Sequence, residues 1–186
     1  MNFRSILESD ARLSKQMRVA EMPGALRTMA VVLAHSGDSW FWGAALLLAW
    51  LFSNSFWRKW EIVELVGISV LAALVMGIKF LVRRKRPEGE WGGIYRNTDP
   101  HSFPSGHAAR SFLIAVIAAG LSPVWLAAVL WLWAPLVALA RVAMGVHYVS
   151  DVVAGAMVGV AFALIFLQIH QPLFLWVTSL IGFPMW

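Results

Sequence analysis

The chain has 186 residues, of which 60% are hydrophobic and 13% charged, and its mean hydropathy is +0.70. These values exclude an ordinary soluble domain and point to an integral membrane protein, one domain over residues 1–186 built from several helices. It has no cysteine and a net charge of +5. That excludes a disulfide framework, a thiolate metal site and a cysteine nucleophile. With no solvated basic domain to bind nucleic acid, the expected partners are membrane lipids and a phosphorylated lipid substrate.

Residues 1–22 mix both charges with apolar positions at Phe3, Ile6, Leu7, Leu13, Met17 and Val19. This predicts an amphipathic helix in the membrane interface, with Arg4, Arg12, Lys15 and Arg18 toward the headgroups. The acidic residues argue against a secretory signal. Pro23-Gly24 ends the helix. Residues 24–34 are apolar, His35-Ser36-Gly37-Asp38 interrupts, and 39–52 resume the pattern. A crossing takes about 20 apolar residues, so either one interrupted helix or, the favoured reading, a half-buried helix followed by a tilted span is expected. A polar turn at 53–60 leads into a span over 62–82, with Lys79 set inside its end. The basic run Arg83 to Arg86 marks a membrane edge, and Pro87 is expected to stop the helix. A Gly- and Pro-rich loop follows to about 103. Further apolar helices are expected at 108–121, 124–140 and 152–169. The tail 171–186 is interrupted by Pro and Gly and is placed in the interface.

Three polar clusters fall at the ends of these helices. Lys79 and Arg86 are seven residues apart, about two helical turns, which would turn both cations one way. Phe103-Pro104-Ser105-Gly106-His107 opens the next helix. Pro and Ser suit a helix start, Gly lets a ligand approach the backbone, and the first N–H groups form an anion pocket. Ser105 reads as a hydroxyl donor, because no nucleophile elbow surrounds it. In the third cluster His147 and Asp151 are four apart, sharing a face if helical, so the carboxylate can hold one imidazole nitrogen and leave the other to attack. Arg141 lies before Gly145 and can fold back to clamp an anion. Together these supply three cations, an amide-lined helix start and two histidines, the parts that phosphoryl transfer needs. Metal-ligand spacing, paired carboxylates and a Walker loop are missing, so a metal-free phosphatase with an imidazole nucleophile and no cofactor is expected. His35, Asp38 and His101 are expected to be interfacial polar residues without a role.

The three clusters resemble the signature of the type 2 phosphatidic acid phosphatase superfamily. Lys-x6-Arg-Pro matches Lys79, Arg86 and Pro87; Pro-Ser-Gly-His matches Pro104 to His107; Ser-Arg-x5-His-x3-Asp matches Arg141, His147 and Asp151, with Ala140 at the serine position. The motifs bracket residues 79–151. The resemblance implies an all-α, polytopic membrane helical bundle with an acid phosphatase/vanadium haloperoxidase-like core, about five to six membrane helices and the N-terminal amphipathic helix. It implies that His147 forms a phosphohistidine, Asp151 orients it, and His107 protonates the leaving oxygen and then activates water. Lys79, Arg86, Ser105, Gly106 and Arg141 would hold the phosphate. The expected activity is that of a multi-pass lipid phosphatase of a bacterial inner (cell) membrane. Polyprenyl diphosphate or phosphatidylglycerol phosphate is favoured over phosphatidate or lipid A phosphates. A vanadate haloperoxidase is disfavoured by the spans and short length, and a non-catalytic lipid-phosphate binder by the filled catalytic positions.

Overall fold

The computed structural model describes residues 3–89 and 99–181, all of it helix and connecting turns apart from one bridge between Lys85 and His101. The helices are α1 (Phe3–Gln16), α2 (Ala25–His35), α3 (Ser39–Phe52), α4 (Ser55–Val82), α5 (Gly106–Leu121), α6 (Val124–Ala143) and α7 (Val149–Ile181). The loop residues 90–98 and the tail residues 182–186 of the expectations above lie outside the described residues.

Helix α5 is the axis of the bundle. It packs against α6, α7 and α4, while α3 packs on α4, α2 on α6 and α1 on α7. Its residues Ala108, Ala109, Leu113, Ile114, Ala115, Ile117 and Ala118 are fully buried, so α5 is covered all round, as expected of a helix with little amphipathic bias. Small residues let its neighbours come close. A Cβ on Gly159 of α7 would collide with the Ala109 carbonyl, and one on Gly155 with the Ser105 carbonyl. Gly155 and Gly159 thus form a four-residue small-residue pair that allows two backbones to touch in an apolar medium.

Three helices are long and apolar enough to cross a membrane: Ser55–Val82, Val124–Ala143 and Val149–Leu180. The 28 residues of α4 reach about 42 Å, more than the roughly 30 Å of a hydrocarbon core. Their outward faces are apolar, with Leu81 84% and Val124 85% exposed, which suits contact with lipid tails rather than water. Helices α2, α3 and α5 are shorter apolar helices.

The structure departs from expectation at several boundaries. The turn expected at 53–60 is only two residues long, because Asn54 caps α4 by accepting from the Trp57 N–H at 3.3 Å. Trp60 and Glu61 are already buried one turn later. The same span carries Glu64, fully buried, as a second charged type besides Lys79. Helix α4 ends at Val82, before Pro87, where Arg83 adopts a left-handed conformation (φ 53°) and its N–H closes on the Lys79 carbonyl at 2.9 Å. The last helix does not stop near 169. It continues through Pro172 to Ile181, because Phe174 beyond the proline is buried in the main core cluster. A proline removes one backbone bond, and the packing of that ring offsets the loss.

Candidate active site

The site forms where α4, α5, α6 and α7 present one end each. Helix α5 starts with Ser105 as its N-cap; the Ser105 Oγ accepts from the Ala108 N–H at 3.4 Å. Its own N–H donates to the Asp151 carbonyl at 2.9 Å, which ties the start of α5 to the start of α7. The close α5–α7 crossing at Gly155 and Gly159 makes that bond possible. The segment after α4 runs extended rather than helical. Ser102 N–H donates to the Arg84 carbonyl at 2.8 Å, which lays residues 84–87 beside 101–102 and turns Arg86 inward.

These elements surround a cavity of about 200 Å³. Its polar wall includes Lys79, Arg86, Asp99, Gly106, His107, Arg110, Arg141 and His147, and its apolar wall is a stripe of α4 including Ile68, Leu71, Val75 and Met76. Of the eight residues predicted for the site, Lys79, Arg86, Gly106, His107, Arg141 and His147 line it. Asp151 and Ser105 stand behind the wall, both with no exposure to solvent. Lys79 and Arg86 do converge, but not as a two-turn helical pair, since the helix between them ends at Val82.

His147 is not in a helix with Asp151. It lies in the turn before α7, after Gly145, whose positive φ of 69° redirects the chain. Asp151 sits in the first turn of α7 and its Oδ2 accepts from the Tyr148 N–H at 2.9 Å, half of a capping box. The same oxygen lies 3.5 Å from His147 Nδ1, long for a hydrogen bond. The Nε2 atom receives an N–H of Arg86 Nη1 at 3.0 Å. That pattern suits a neutral ring with its proton on Nδ1 and its lone pair on Nε2. Burial, and after it the charges of Arg86, Arg141 and Lys79, hold the His147 ring well below the usual imidazole range.

Lys79 and Arg86 have carboxylate and carbonyl partners. Lys79 Nζ bonds Asp99 Oδ2 and, at 2.9 Å, the His101 carbonyl. Arg86 donates from Nη2 to Asp99 Oδ2 at 2.8 Å and from Nε to the Asp99 carbonyl at 2.7 Å. Arg141 is 1% exposed. Ala140, at the position where the resembled motif has serine, is packed with Ala20, Ala30, Ala34, Met144 and Val146 in an apolar cluster.

Sequence reasoning missed three participants. Asp38, expected to be idle, bonds His107 Nε2 through Oδ1 at 2.7 Å. Its signal was a carboxylate between two apolar runs, a costly place for an idle charge. Arg84, taken as part of a basic edge, donates to Asp151 Oδ1 at 2.8 Å, to Ser150 Oγ at 2.6 Å and to Asp10 Oδ2 at 2.7 Å, and lies 4.0 Å from the centre of the Tyr148 ring. Asp10, on α1, also accepts from the Ser150 N–H at 3.0 Å. The amphipathic helix is therefore fastened to the carboxylate behind His147. Nothing in the sequence signals that pairing across the chain. Among the described residues, no group of three or more His, Asp or Glu is placed to hold a metal ion.

The PAP2 superfamily pattern matches residues 61–175. The chain is 34% identical over 146 residues to the decaprenylphosphoryl-5-phosphoribose phosphatase of Mycobacterium tuberculosis, covering 77% of this chain and 80% of that one. The fold is similar to that of Aquifex aeolicus LpxE, with a TM-score of 0.68, 25% identity and coverage of 84% of this chain and 93% of that one. It is also similar to the PAP2-type phosphatidylglycerolphosphate phosphatase of Bacillus subtilis, with a TM-score of 0.73, 22% identity and coverage of 90% and 87%. With three membrane-length helices and that match, the chain belongs to the PAP2 superfamily and is an integral, multi-pass membrane lipid phosphatase.

Proposed function

We propose that the chain removes a terminal phosphate from a polyprenyl-linked or glycerophospholipid substrate through a phosphohistidine, without a metal ion. The observation that carries this reading is the meeting of Lys79, Arg86, Arg141, His107 and His147 on one cavity whose remaining wall is the apolar stripe of α4. A phosphate fits the cationic end and a chain of CH₂ or prenyl units fits the stripe. The relatives' names suggest the lipid: one acts on a decaprenylphosphoryl phosphoribose and another on phosphatidylglycerolphosphate. The three shorter apolar helices complete a bundle of five to six membrane helices, since α5 is enclosed by the long ones and α3 packs along α4.

In this mechanism the His147 Nε2 lone pair attacks phosphorus in line, and the bond from phosphorus to the leaving oxygen breaks. His107 gives that oxygen a proton. Lys79, Arg86, Arg141 and the Gly106 N–H take up the charge on the three equatorial oxygens. Asp151 steadies the positive ring as its 3.5 Å approach tightens. Water then attacks phosphorus, His107 takes its proton, and the N–P bond breaks to release inorganic phosphate. Ser105 serves by capping α5, whose first residues Gly106 and His107 line the cavity.

The test is phosphate release from a panel of polyprenyl and phospholipid phosphates, with purified wild type and His147→Ala, each with and without chelator. We expect His147→Ala to lose at least about 10³-fold and chelation to change nothing. Equal release by both proteins removes the nucleophile assignment, and loss on chelation removes the metal-free mechanism.

A further inference from the structure

The turn between α2 and α3 lies outside residues 61–175 that match the family pattern, yet it brings a carboxylate to the second histidine of the cavity. Asp38 Oδ1 is 2.7 Å from His107 Nε2. Its other oxygen is held by His35 Nδ1 at 2.9 Å and by the Trp40 indole N–H at 3.1 Å. Arg110, one turn along α5 from His107, fastens the same turn by donating to the Gly37 carbonyl at 2.8 Å and by bonding Ser39 Oγ. The fit is close: a Cβ on Gly37 would stand 2.8 Å from Val137 and 3.4 Å from the His107 ring. Nε2 is thus engaged, and Nδ1 is the nitrogen left for the leaving oxygen.

We propose that Asp38 is the positioning residue of the leaving-group acid: it sets the orientation and tautomer of His107 and stabilises the imidazolium that Nδ1–H discharges. This rests on the hydrolase reading above. Among the described residues, the charged and titratable groups that weigh most on the ring are Arg110 on its own helix, Arg141 on α6, and Asp38 with His35 behind it from the α2–α3 turn; Lys79, Arg86, Asp99 and His147 line the same cavity. Two arginines oppose a positive ring, and Asp38 is the carboxylate in contact with it that offsets them. Burial favours a neutral Asp38, but the hydrogen bonds from His107 and His35 outweigh it and hold the carboxyl below the usual range. It is therefore charged when it is needed. As the N–P bond forms at His147, the electron pair of the broken P–O bond stays on the leaving oxygen and takes the proton from His107 Nδ1. Asp38 keeps the hydrogen bond from Nε2–H throughout.

The experiment compares two probes with one enzyme preparation: dioctanoyl phosphatidate, whose alkoxide must be protonated, and p-nitrophenyl phosphate, whose phenolate leaves without a proton. A leaving-group acid is worth about 10²–10⁴-fold. For Asp38→Asn we expect the ratio of phosphatidate to nitrophenyl phosphate turnover to fall about 10- to 100-fold, part of that range, because the histidine remains but is less well held. Asp38→Glu should recover part of the ratio. The basic limb of the phosphatidate pH profile should move to lower pH in Asp38→Asn, since the ring loses the charge that keeps it protonated. The ratio does not depend on how much protein folds. An unchanged ratio, with both probes losing equally, overturns the role of Asp38 and leaves the hydrolase reading intact. A wild type that turns over neither probe and no lipid of the panel above overturns both.

Discussion

Arg84 offers a quantitative test of how His147, the nucleophile proposed above, is held. Asp151 is fully buried, and Arg84 is the cation bonded to it, at 2.8 Å. Replacing Arg84 by methionine keeps a long stem against the Tyr148 ring, 4.0 Å away, and removes the charge. A hydrogen bond to a charged group contributes about 1.5–3 kcal/mol. The carboxylate keeps its bond from the Tyr148 N–H at 2.9 Å, so only one bond is lost at that residue. If its loss falls on the transition state, in which the ring behind it turns positive, kcat drops about 10- to 150-fold at about 1.4 kcal/mol per factor of ten. Arg84→Lys should lie between, because an ammonium cannot fork to Asp10 and Asp151 together. The assay is kcat for phosphate release, with inhibition by inorganic phosphate measured alongside. Phosphate binding should change little, since Lys79, Arg86 and Arg141 are untouched. A methionine variant within threefold of wild type in kcat would refute the claim that Asp151 needs a second anchor.

The remaining predictions concern pH and packing. His147 is held neutral by burial and then by Arg86, Arg141 and Lys79, so the acid limb of kcat/KM due to this ring lies below the ordinary histidine value of about 6.5. Arg86→Met removes a positive neighbour, eases protonation, and should move that limb upward; a limb that stays put or falls would contradict the assignment. The same depression makes the unfolded chain bind a proton that the folded one refuses below about pH 6.5, so the stability tied to His147 is full above that value and declines as pH falls. This can be followed as Tm in detergent against pH. Gly159→Val should drive α7 from the Ala109 carbonyl, costing about 1–3 kcal/mol or more by overpacking, and should reduce activity with Tm because the Ser105–Asp151 tie runs along the same crossing. An unchanged Tm would mean that the two backbones are not in contact.

The parts of this molecule that were legible in its sequence are those in which chemistry forces a local pattern. Lys79 inside an apolar run, and an arginine, a histidine and an aspartate between two spans, are costly unless used, while Pro and Ser mark the start of a helix. Six of the eight site residues so marked do line the cavity. The helix ends were less legible for the opposite reason. Asn54 capping α4, Arg83 turning left-handed and Phe174 holding α7 together past Pro172 depend on contacts that a hydropathy pattern does not carry. Lys79 and Arg86 are neighbours, but not for the reason their spacing suggests. Two turns of helix would have aligned them, but the chain aligns them by ending the helix and pairing residues 84–85 with 101–102.

What stayed hidden shares one property: each member is a side chain whose partner is far away in sequence. Asp38 is 69 residues from His107, and Arg84 is 74 from Asp10. Both pairs join the N-terminal third to the motif-bearing core: Asp38 bonds His107 itself, and Arg84 links Asp10 to Asp151 beside His147. The division has a physical basis. Residues that touch the phosphate must present fixed charges at fixed places, so they recur as short motifs on helix ends. Residues that hold those groups need only a carboxylate or guanidinium within reach, and many positions on many helices can supply it. The N-terminal helices, lacking a motif of their own, can therefore still decide how well the two histidines work. Comparing Asp38→Asn with Arg84→Met separates the two halves of that statement. The first should depend on the leaving group, because it acts on the proton donor. The second should not, because it acts on the nucleophile whatever departs. If both variants lost the same factor on both probes, the two flanks would be one structural unit rather than two separately tuned supports.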